Sequence, residues 1–112
     1  MKTNPLLPLA FMVVALASGA ATAGAPDGAA LFNQTCVACH GKSGQGAIPG
    51  VPDMTGKGGP LTKSDAELTA SILNGFQTKG SPMAMPTKGG NPKLTAEDAA
   101  ALVAYLRTLA KK

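Results

Sequence analysis

The chain has 112 residues, with 45% hydrophobic residues and a formal net charge of +4. It carries 14 Gly, 9 Pro, 2 Cys, a single His and no Trp. This excludes a multidomain enzyme, a membrane protein of many spans and a domain with a large autonomous core.

The apolar content is uneven. Of the first 23 residues 15 are apolar, against 35 of the remaining 89. Lys2 precedes an almost unbroken apolar run from Leu6 to Leu16, and Ala21-Thr22-Ala23 forms an A-x-A site. The pattern predicts a secretory signal peptide over residues 1–23 and a domain over 24–112 that begins at Gly24. No Cys follows the site to take a lipid anchor. The apolar run is short of the ~20 residues that span a bilayer, which argues for cleavage over a retained anchor.

Residues 24–112 hold nine Lys and Arg against six Asp and Glu. These charges are dispersed and aromatic residues are scarce, which argues against nucleic acid as a partner. Only 19 sizeable apolar side chains (Leu, Ile, Val, Met, Phe, Tyr) remain to build a core. Domains this small need a staple such as a metal or disulfides.

The first predicted helix runs over 27–35, with Asp27 as its N-cap and Leu31 and Phe32 on its apolar face. Cys36-Val37-Ala38-Cys39-His40 follows, and it contains the only cysteines and the only histidine of the chain. C-x-x-C-H is the attachment signature of a c-type haem. Two thiols at this spacing reach the two vinyl groups of one porphyrin edge and form thioethers. The adjacent imidazole then projects under the ring to ligate iron. A disulfide between Cys36 and Cys39 would close a very short loop and stabilise little. A thioredoxin-like pair needs a βαβ context, which is missing. Structural zinc needs four ligands, and no acid lies near these three residues.

Residues 41–63 contain seven Gly and three Pro, with Met54 read as a packing residue. The second helix is predicted over 65–74. Ser64 and Glu67 make a capping-box pattern, Leu68, Ile72 and Leu73 share a face, and Gly75 marks the end. Residues 77–93 hold three more Gly and three more Pro, and neither long stretch has a strand pattern. Loops of this length suit a compact domain only if they wrap something that is not protein. Met83 and Met85 sit in Gly80-Ser81-Pro82-Met83-Ala84-Met85-Pro86, a stiff segment suited to presenting one thioether as second axial ligand. The third helix is predicted over 96–110. Thr95 is its cap, Glu97 and Asp98 lie in the first turn, and Lys111 and Lys112 follow the last, which suits the helix dipole. Ala99, Leu102, Val103, Leu106, Leu109 and Ala110 repeat at helical spacing.

Residues 24–112 resemble a small single-haem class I cytochrome c of the soluble bacterial type. The likeness rests on Cys36–His40, on Met85-Pro86, on Gly28 and Phe32 in the first helix, and on Leu102, Tyr105 and Leu106 in the last. It implies an all-α fold of three to four short helices, with long loops wrapped around one covalently attached haem c. In the family the axial Met comes immediately before a Pro, which favours Met85 over Met83. Gly28 is then expected to let the first helix approach the last, with Phe32 packed between that helix and the haem. Pro52 is the expected carbonyl acceptor for the Nδ1 proton of His40, with Pro49 as the other candidate. The absence of Trp leaves the propionate partners open, with the Gly-rich loop as their expected source.

With His40 and Met85 both on iron, no open site remains for substrate, so no catalytic residue is expected. The chain reads as a periplasmic electron carrier, cycling between Fe(II) and Fe(III) and exchanging electrons with membrane or periplasmic oxidoreductases. It is expected to be a monomer, membrane-anchored only if the leader is retained. Lys42, Lys79 and Lys88 lie near the haem motif or the Met segment, where they can steer acidic partners or be ordinary solvated charges. The alternative is a dedicated haem c subunit of a periplasmic dehydrogenase or oxidase complex. A third reading, a ligand-binding haem protein or peroxidase, requires Met85 to be weakly bound or absent.

Overall fold

The computed structural model describes residues 26–110. The leader over 1–23, its junction at Gly24, and Lys111 and Lys112 lie outside the described residues. Four α-helical segments follow in chain order: α1 (Gly28–Leu31), α2 (Val37–His40), α3 (Asp65–Asn74) and α4 (Ala96–Leu109). Among the described residues the only β pairing is an isolated bridge between Phe76 and Met85. This is the all-α arrangement of short helices and long loops that the sequence analysis expects. No helix among the described residues is long and apolar enough to cross a membrane.

Asp27 caps the first helix, its carboxylate accepting from Ala29 N at 3.0 Å and Ala30 N at 3.2 Å. The expected end at Thr35 is wrong. A π-helical turn over Phe32–Cys36 joins α1 to α2, so helical backbone continues to His40. The Val37 amide donates to the Phe32 carbonyl across this turn, and the wider turn breaks the 3.6-residue period on which the sequence boundary rests. The haem-attachment motif therefore rides on helix and not on loop.

The crossing of α1 and α4 depends on one missing side chain. A Cβ on Gly28 would lie 2.2 Å from the Ala101 carbonyl oxygen, closer than any nonbonded carbon tolerates. One turn later Phe32 is 1% exposed, its ring 5.3 Å from that of Tyr105. Gly28→Ala must separate the two backbones. We expect it to lower the unfolding free energy of the protein by about 1–3 kcal/mol. Guanidinium titration measures this, and an unchanged midpoint would show that the crossing tolerates a methyl group.

Helix α3 starts and stops as its sequence predicts. Ser64 and Glu67 form the reciprocal capping box, and Leu68 and Ile72 are buried. At its end Gly75 has φ +82°, and a Cβ there would meet the Met85 carbonyl oxygen at 2.8 Å. Thr87 Oγ1 donates to the Asn74 carbonyl at 3.2 Å. The end of α3 is thus packed directly against the methionine segment. Thr95 caps α4 through a second capping box with Asp98, and Ala110 closes the helix just short of the predicted limit.

Arg107, to which the sequence reading assigns no part, joins α4 to the entry of α3. Its Nε donates to Asp65 at 2.9 Å and its Nη2 donates to the Lys63 carbonyl at 2.6 Å, while Nη1 donates to the Leu61 carbonyl. One guanidinium therefore holds the short 3-10 turn Pro60–Thr62, together with Lys63 and Asp65, onto the last helix.

The core comprises Phe32, Met54, Leu68, Ile72, Leu94, Ala99, Leu102, Val103, Leu106 and Leu109. Met54 is 7% exposed and packs there, in keeping with its reading as a packing residue.

Candidate functional site

A cavity of about 390 Å³ opens in the middle of this core, within the ~300–1,000 Å³ typical of small-molecule and cofactor sites. Phe32, Met54, Leu68, Ile72, Leu102 and Leu106 belong both to the core and to the cavity wall. The core is thus arranged around a space and not around a packed centre.

Cys36, Cys39 and His40 all line this cavity. The π turn and α2 bring them together, and Gly41, at φ +77°, ends the helix immediately after the histidine. Both thiols are free and half-buried. Burial, with a smaller contribution from the neighbouring Cys39, pushes the Cys36 thiol up to about 11. Both effects penalise the thiolate. Burial also pushes the His40 imidazole below its ordinary range. A metal ligand must be the neutral imidazole, so this shift keeps its lone pair available at neutral pH.

His40 Nδ1 is buried and has no hydrogen-bond partner among the described residues. The bond expected from it to the Pro52 carbonyl is not made. The loop's own bonds set its path: Gly46 N donates to the His40 carbonyl at 2.7 Å, Ala47 N to the Cys39 carbonyl at 2.8 Å, and Met54 N to the Gly44 carbonyl at 2.8 Å. Pro52 is thereby brought to the cavity wall, but without reaching the ring nitrogen, and Pro49 does not line the cavity.

Met83 and Met85 both line the cavity, but they are held differently. Met85 exchanges two backbone bonds with Phe76, at 2.7 and 3.0 Å, and packs against the core. Met83 is 46% exposed, its backbone tied only to the Ser81 hydroxyl. A thioether fixed by a bridge and a core contact is better placed to occupy one position than one on an exposed turn.

The residues present fit a haem: a mostly apolar wall, two thiols at C-x-x-C spacing, an imidazole whose cationic form burial disfavours, and a thioether. No group of three or more His, Cys, Asp or Glu gathers among the described residues, so the carboxylate-assisted zinc reading finds no partners. Of the lysines expected near the site, Lys42 and Lys79 are exposed and Lys88 is half-buried, and none lines the cavity. Lys63 does line it, unnoticed in the sequence because it directly precedes the Ser64 cap and reads as a helix-entry charge.

Residues 23–106 match the model of the family described as cytochrome C oxidase, cbb3-type, subunit III. Over 82 residues the chain is 35% identical to cytochrome c-555 of Chlorobaculum thiosulfatiphilum, covering 73% of this chain and 92% of that one. It is also 35% identical over 82 residues to cytochrome c-555 of Chlorobaculum tepidum, covering 73% of each. No solved structure matches the chain.

Proposed function

The chain belongs to the class I c-type cytochromes and carries covalently bound haem c, and from this membership we propose that it is a periplasmic electron carrier with His/Met-ligated iron, not an enzyme. The observation that carries the reading is the convergence of Cys36, Cys39, His40 and Met85 on one apolar cavity. When bound, the haem supplies a one-electron couple between ferrous and ferric iron.

The residues divide the work. Cys36 and Cys39 tether the group by thioethers, at the spacing that reaches one porphyrin edge. His40 provides a neutral nitrogen, kept neutral by burial. Met85 would supply a thioether to the iron, with Met83 as runner-up. A thioether donor favours the reduced state and raises the potential. Phe32, Leu68, Ile72 and Leu102 exclude water, which keeps reorganisation on electron transfer small. Pro52, at the wall, is the candidate to orient the imidazole once the ring is anchored. If His40 and Met85 both hold the iron, no position would be left for a substrate, and the group could only exchange electrons with partner proteins.

Residues 1–23 direct export and are removed, leaving a mature domain over 24–112 that works as a soluble monomer with donor and acceptor oxidoreductases. Lys42, Lys79 and Lys88 are candidates to steer acidic partners. Fractionation tests this reading. The periplasmic fraction is expected to hold a haem-loaded chain whose mass begins at Gly24 and which titrates reversibly with one electron. A chain retained in the membrane with its leader intact would overturn the carrier's proposed location. The family description, which names an oxidase subunit, favours one other reading: a dedicated haem c subunit of a dehydrogenase or oxidase complex. In that case the protein purifies in a stoichiometric assembly and not at the mass of a single small domain.

A further inference from the structure

Of the residues that line the cavity, Lys63 alone carries a full charge at neutral pH. It sits at the end of the Gly-rich loop, half-buried, and among the described residues its ammonium makes no ion pair, since the one ion pair there joins Arg107 to Asp65. Two contacts hold it in place. Arg107 fixes its backbone through the carbonyl at 2.6 Å, and its Nζ stands 3.9 Å from the centroid of the Phe76 ring, which also lines the cavity.

A haem brings two propionate carboxylates into a cavity that is otherwise mostly apolar. A carboxylate taken out of water is costly unless a cation or strong donor meets it. The other polar side chains on the wall are weak candidates: Ser71 Oγ already donates to the Glu67 carbonyl, and Thr35 and Thr78 offer neutral hydroxyls only. We propose that Lys63 is the charged partner of a haem propionate, held for that contact by Arg107 and by the face of Phe76. The proposal rests on the haem-site reading above and adds to it the residue that recognises the carboxylate end of the group.

The contact also tunes the couple. Ferric haem carries one more positive charge than ferrous haem, so a cation at the propionate disfavours oxidation and raises the potential. Removing it lowers the potential.

The direct test is proton NMR of the ferrous, diamagnetic wild-type holoprotein. Cross-relaxation is expected between the ε-methylene of Lys63 and the methylenes of one propionate, and its absence would overturn the proposal whatever any variant does. Three variants give an independent readout. Lys63→Met is expected to lower the midpoint potential, shifting the ferric-to-ferrous ratio several-fold at a fixed applied potential, and to move the propionate signals. Lys63→Arg is expected to restore both. Lys93→Met, which removes the same charge from an exposed position off the cavity, is expected to do neither. Equal midpoint shifts in Lys63→Met and Lys93→Met would reduce the role to general surface charge and overturn the assignment. The wild-type spectrum separates the two claims: low-spin c-type haem without the Lys63 contact sinks only this inference, whereas absence of covalent haem sinks the reading beneath it.

Discussion

The double substitution Cys36→Ala/Cys39→Ala is expected to leave a chain that neither retains haem through acid extraction nor holds its helices. The reason lies in the hollow core. Six of the ten buried core residues face the cavity, so without the prosthetic group their inner surfaces have no packing partners. Apolar wall left without packing partners costs stability in proportion to the unfilled volume, and this space of about 390 Å³ borders most of the core. A domain's whole stability is only about 5–15 kcal/mol. The apolar wall can collapse only in part, because α1 and α4 already touch at Gly28 and α3 is tied to α4 by Arg107. Far-UV circular dichroism of the purified variant reads the outcome. A helical signal with a cooperative thermal transition in the haem-free chain would show that the polypeptide alone completes its core.

The second large effect concerns the axial thioether. Met85→Ala is expected to open the sixth position, so that the ferrous protein binds CO at neutral pH without denaturant. Met83→Ala is expected to leave that position closed. The difference follows from how the two residues are held. Met85 is fixed by paired backbone bonds to Phe76, and Gly75 packs against its carbonyl, whereas Met83 sits on an exposed turn. On the proposed ligation, losing Met85 would also remove the donor that favours ferrous iron, and the midpoint potential is expected to fall. The fold is expected to survive, because the two thioethers and His40 still hold the group in the core.

Much of this architecture is legible in the sequence. The caps at Asp27, Ser64 and Thr95 and the stop at Gly75 depend on local chemistry, and each is found where it is predicted. The cysteine spacing with its adjacent histidine points to haem without reference to the rest of the chain. Phe32 is legible locally as part of an apolar face, but the crossing at Gly28 and the contact of Phe32 with the last helix are legible only through the resemblance, since nothing local says that a helix crosses there. The π turn is not legible, because a wider turn erases the period by which helices are recognised. Arg107 and Lys63 are not legible either. They are 44 residues apart, and their roles depend on a loop being folded back onto α4. None of the three lysines singled out for nearness in sequence, Lys42, Lys79 and Lys88, lines the cavity, while Lys63, which does, reads as an ordinary helix-entry charge.

The central claim is that a covalently held haem, ligated by His40 and Met85, completes an otherwise hollow core. It is tested most directly by the ferric absorption spectrum of the purified protein, recorded beside Met83→Ala and Met85→Ala. Low-spin c-type haem with a methionine-to-iron charge-transfer band is expected in the wild type and in Met83→Ala, with loss of that band in Met85→Ala alone. A high-spin wild type, or a band that survives in Met85→Ala and vanishes in Met83→Ala, would contradict it.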